Sequence, residues 1–65
     1  MTVREVLRRL RADGWVQIKS RGSHRQFKHP SKRGRVTVAG HPNDPVPPRT
    51  RASIFRQAGW SDGEG

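Results

Sequence analysis

The chain has 65 residues, no cysteine and a net charge of +9, and only 29% of its residues are hydrophobic. That length allows one small domain with a thin core, expected over residues 1–60 with a loose tail at 61–65. The missing thiols exclude disulfides and a thiolate zinc site, and no apolar run reaches the roughly 18 residues of a membrane span. With no signal-peptide core either, a soluble, cytoplasmic protein is expected.

The first helix is signalled by Thr2 and Glu5, three residues apart as in a capping box. Val3, Val6, Leu7 and Leu10 then recur at the spacing of one buried helical face, Arg4, Arg8 and Arg11 fall mainly on the other side, and Gly14 supplies a stop. Trp15 to Lys19 reads as a strand with Val16 and Ile18 on one face. Arg21-Gly22-Ser23 is a tight turn into a second strand, His24 to His29, which Pro30 ends because it has no N–H to give to a ladder. Ser31 to Gly34 is another turn. Arg35 to Ala39 is a third strand with Val36 and Val38 inward. Four prolines keep Gly40 to Pro48 extended rather than helical. A final helix follows, capped by Thr50, with Ile54, Phe55 and Ala58 as its apolar stripe and Gly59 at its end, beyond which Trp60 folds back onto the core.

The order is α-β-β-β-α, and the short links favour an antiparallel meander. The expected fold is α+β: a three-stranded antiparallel sheet with two helices on one face, the layout of double-stranded-RNA-binding domains. Strand phase divides the second strand. If Phe27 faces the core, His24, Gln26 and Lys28 share the open face, while Arg25 and His29 share the phase of Phe27.

Charge is unevenly placed. Residues 1–35 hold eleven Lys and Arg against Glu5 and Asp13, whereas residues 36–65 are neutral. Such a basic surface attracts nucleic acid, because neutralising phosphates releases counterions. It does not favour membranes, since no helix pairs a broad apolar face with the basic one. Within it, Gly22-Ser23-His24 delivers an imidazole, the side chain that takes and gives protons near neutral pH. His24 reads either as an acid or base acting on a polyanion or as a loop histidine contacting phosphate.

Lys32, Arg33 and Arg35 form a basic tip suited to gripping an RNA backbone, and Arg8, Arg9 and Arg11 either extend that surface or form a solvated helix face. Ser23 is a turn residue or a phosphate donor. Trp15 is a packing residue or a base-stacking platform. His29 is structural, and His41 either orders its loop or acts as a second acid or base. Three scattered histidines and Asp44 do not make a metal cage, so neither metal nor cofactor is expected.

Taken in order, the first helix, Gly14-Trp15, Gly22-Ser23-His24, Phe27-Lys28-His29-Pro30, Val36-Thr37-Val38, His41 and Gln57-Ala58-Gly59 resemble the HicA family of bacterial type II toxins. These are mRNA interferases paired with HicB antitoxins. The resemblance implies a compact fold of the kind described, an RNA (mRNA) substrate, a HicB-like antitoxin partner and His24 as the catalytic residue. Cleavage would use the RNA's own 2′-hydroxyl as nucleophile. His24 would serve as base or acid, and Arg21, Arg25 and Lys28 would supply charge for the transition state. The rival reading is a non-catalytic RNA-binding module of the same shape. A small DNA-binding protein is weaker, because no helix-turn-helix spacing is present.

Overall fold

A computed structural model describes residues 1–60, and the expected tail at 61–65 lies outside the described residues. The chain runs α1 (Val3–Ala12), β1 (Val16–Arg21), β2 (His24–Lys28), β3 (Arg35–Val38) and α2 (Pro48–Ala58). The strands form one antiparallel sheet in the order β1-β2-β3. This is the expected α-β-β-β-α fold.

Helix α1 forms because both ends are satisfied. The Glu5 N–H donates to Thr2 Oγ1 at 3.3 Å and the Thr2 N–H to Glu5 Oε1 at 2.7 Å, a complete capping box. That backbone contact from Thr2 also lowers the pKa of Glu5. The next unpaired donors find carbonyls of the proline-rich loop: Val3 N–H to Asp44 O at 3.0 Å and Arg4 N–H to Pro42 O at 2.9 Å. The loop is therefore the second half of the N-terminal cap.

Both helices end in Gly-Trp, and both use it in the same way. At α1, Gly14 (φ +98°) donates to Arg11 O and Trp15 to Leu10 O; at α2, Gly59 (φ +75°) donates to Arg56 O and Trp60 to Phe55 O. These are paired Schellman bonds, in which a left-handed glycine turns the chain and the next residue packs back. Helix α2 starts earlier than Thr50 suggests. Pro47 is its N-cap and Pro48 its first residue, with no side-chain cap, because a proline ring presets the dihedral of the first turn and has no N–H to leave unpaired.

One core joins Val3, Val6, Leu7 and Leu10 of α1, Phe27, Val36 and Val38 of the sheet, Ile54, Phe55 and Ala58 of α2, and Trp15 and Val46 from the connections. Residues directly opposite on antiparallel strands share a face. The register pairs Phe27 with Val36 and Arg25 with Val38, so this phase faces the helices. Val16 and Ile18 do not join it; they are 59% and 46% exposed. The cause is a register shift between Gln17 and Lys19, which leaves Ile18 as an extra, unpaired residue. Beyond it the phase flips: Gln17, not Ile18, stands opposite Phe27, and Val16 stands opposite Lys28 on the open face. The flip turns Trp15 inward, where it is 2% exposed. A tryptophan offers more apolar area to the core than the valine or isoleucine it displaces.

Candidate active site

Strand β1 enters β2 through Gly22 and Ser23. Gly22 has φ +60°, no other residue type among those described has positive φ, and Arg21 pairs directly with His24. A two-residue loop with left-handed geometry only at its first position suits the twist of a hairpin. His24 is thereby held at the first position of a regular strand rather than on a loose loop.

Three cross-strand rows build the open face. Arg21 faces His24; Lys19 faces Gln26, which faces Thr37; Val16 faces Lys28, which faces Arg35. The side chains of Lys19, Arg21, His24, Gln26 and Thr37 line a shallow depression of about 220 Å³. Two cations, Lys19 and Arg21, therefore share the depression with the imidazole, and no Asp or Glu occurs anywhere between Gly14 and Asn43. His24 is exposed, and among the described residues no hydrogen bond restrains its ring.

The other sequence-derived candidates divide between this face and elsewhere. Arg21, Lys28 and Arg35 lie on it, and Arg33 is exposed in the turn between β2 and β3. Ser23 is the half-buried turn residue whose carbonyl accepts from the Gly40 N–H at 3.2 Å. Arg25 is not beside His24's ring. Its guanidinium donates to Gly40 O at 2.9 Å and to Ser23 O at 3.4 Å, tying the segment after β3 to the hairpin turn from the helix-facing phase.

Lys32 is not a free cation either: its Nζ donates to Asp13 Oδ2 at 2.7 Å and to Ala58 O at 3.1 Å. Arg8, Arg9 and Arg11 are all exposed, and Arg9 also stacks on Phe55 and Trp60, with its guanidinium 4.9 and 4.4 Å from the ring centroids. Trp15 is a core residue with no face left for a base.

His29 and His41 are both placed by backbone contacts. The ring of His29 bonds to Asp13 O through Nε2 at 2.7 Å, and its Nδ1 accepts from the Ser31 and Lys32 N–H groups at 3.0 and 3.2 Å. Two donors on Nδ1 fix the neutral tautomer with the proton on Nε2. His41 is exposed, with its N–H on Asp44 Oδ2 at 3.0 Å.

Sequence reading missed Lys19 and Thr37 as lining residues, and it placed Gln26 on the open face without giving it a role. Counting back from the Gly22-Ser23 turn pairs Lys19 with Gln26, so that signal was available in the sequence. The pairing of Gln26 with Thr37 was not, because the link between β2 and β3 runs from 29 to 34 and is longer than the Ser31 to Gly34 turn.

A protein-family model, that of the HicA toxin of bacterial toxin-antitoxin systems, matches residues 3–60. The chain belongs to this family. It is accordingly the toxin of a toxin–antitoxin pair, with an antitoxin as partner, and its kind of reaction is that of a ribonuclease. No curated protein matches the chain. The toxin has no helix among its described residues that is long and apolar enough to cross a membrane.

Proposed function

We propose that this toxin is a metal-independent endoribonuclease that cuts mRNA with His24 as its single catalytic histidine, and so inhibits translation and growth until a HicB-like antitoxin covers the site. The observation that carries the reading is the unrestrained imidazole on an acid-free face, with Arg21 directly opposite and Lys19 in the same depression.

The reaction follows from those groups. His24 accepts the proton of the ribose 2′-hydroxyl as its oxygen attacks phosphorus. The bond from phosphorus to the 5′-oxygen breaks, and the proton passes from the imidazole to that leaving oxygen. The products are a 2′,3′-cyclic phosphate and a 5′-hydroxyl, with no water consumed. Arg21 and Lys19 stabilise the extra charge on the phosphorane-like transition state. Nothing in this scheme needs a metal, and among the described residues no three His, Asp or Glu side chains converge.

The test is incubation of purified toxin with RNA in EDTA, followed by analysis of the new ends. Cyclic phosphate and 5′-hydroxyl ends are expected. Cleavage that stops in EDTA, or that leaves 5′-phosphates, would contradict the mechanism. No cleavage under any condition would favour the binding-module reading.

A further inference from the structure

The depression beside His24 holds two groups that the cleavage chemistry does not use. Of its five lining side chains, Lys19 and Arg21 suit phosphate, which positions a nucleic acid without reading it. His24 is assigned to the reaction. Gln26 and Thr37 remain, and amides and hydroxyls are among the groups that read base edges. Gln26 stands in the middle strand between Lys19 and Thr37 and two residues from His24, hence roughly 6.8 Å along the strand. A base resting on Gln26 therefore adjoins a phosphodiester at His24. At about 220 Å³ the depression is far too small for a duplex, and sequence-specific proteins read RNA through unstacked single-stranded bases.

One contact orients the amide of Gln26. Its Oε1 accepts from the Arg35 guanidinium at 3.3 Å. Arginine can only donate, so the carbonyl must face Arg35 and the NH₂ must face the other way. The residue is half-buried, which limits its freedom to turn. The NH₂ thus stays free to donate.

We infer that Gln26, oriented by Arg35, is the base-reading residue of the site, and that it selects a base presenting a carbonyl over one presenting an exocyclic amine. Uracil O4 and guanine O6 accept from the amide, whereas cytosine N4 and adenine N6 oppose donor to donor. This rests on the reading of the site as RNA-binding and adds a determinant of which RNA it takes.

The experiment measures binding of 2′-fluoro pentanucleotides, which lack the attacking hydroxyl and cannot be cut. Uridine is compared with cytidine and inosine with adenosine, pairs that exchange the carbonyl for the amine. Wild type is expected to favour the carbonyl member by roughly fivefold, the lower end for a base-edge contact. Q26E keeps an acceptor for Arg35 but loses both donors, so its order should reverse. R35A frees the amide to turn and should narrow the preference without reversing it. Equal binding within both pairs by wild type, or the same order in wild type and Q26E, would overturn the inference. If the order reverses as expected while RNA bearing 2′-hydroxyls is never cut, the ribonuclease reading fails and the base-reading role stands.

Discussion

His24 and His29 stand at opposite ends of one strand and live in opposite environments. His24 opens β2 on the exposed face, with Lys19 and Arg21 in the same depression, and is held by nothing among the described residues. His29 follows the end of β2, and its ring is bonded on both nitrogens and set edge-on to Trp15 at 5.2 Å. Around His29 the polar groups answer one another. Asp13 Oδ2 accepts from Lys32, from the Trp15 indole at 2.9 Å and from the Trp60 indole at 3.0 Å. The Gly-Trp ends of both helices thus converge on one carboxylate. A fully satisfied polar cluster holds structure together, and an unsatisfied cationic one awaits an anion. The same residue type does both jobs here, and its partners decide which.

Removing the carboxylate should break the comparison most visibly. Asp13→Ala leaves two indole N–H groups and the Lys32 ammonium without their acceptor. For a chain of this size the melting temperature should fall on the order of 10 °C. RNA binding by the remaining folded protein should be nearly unchanged. A variant that melts like wild type would show that the convergence on Asp13 contributes little.

Acid gives a related effect with a defined sign. Hydrogen bonds from Lys32 and then Trp60 hold the Asp13 pKa at about 2, against an ordinary 3.8. A carboxyl with a depressed folded pKa stabilises fully above its ordinary value and loses that contribution as pH falls towards the folded one. The difference in melting temperature between wild type and Asp13→Asn should therefore be constant near neutrality and close between about pH 4 and pH 2. A difference that stayed open at pH 2 would point away from the ionised carboxylate.

The smallest effect separates the lysines. Neutralising Lys19 should flatten the slope of log affinity against log salt by about 0.7, the value for one phosphate contact on a single strand. Neutralising Lys32 should lower the melting temperature and leave the slope alone. If Lys32 moved the slope as much as Lys19, its pairing with Asp13 would not withdraw it from RNA.

These contrasts also mark what the sequence could reveal. Helix α1, the two glycine turns and the phase of β2 followed from spacing, because capping and alternation are local. Gln26 and Lys28 fell on the open face, and Arg25 and His29 on the other, for the same reason. The bulge at Ile18 was not legible, because alternation alone gives Val16 and Ile18 as good a claim to the core as Trp15. Competition for the core settles the matter, and that involves Leu10, Phe27 and Asp13 together. Lys32 read as a free cation because its partner lies nineteen residues away. The start of α2 was misplaced because Thr50 resembles a cap, whereas Pro47-Pro48 had already set the first turn.

The central claim is that His24 serves chemistry and His29 serves structure. The direct measurement is RNA cleavage rate and melting temperature for His24→Ala and His29→Ala, side by side. His24→Ala should lose roughly 10²–10⁴-fold in cleavage with its melting temperature intact. His29→Ala should melt at a lower temperature and, while folded, still cut RNA. Wild-type cleavage by His24→Ala, or loss of cleavage by a fully folded His29→Ala, would contradict the account.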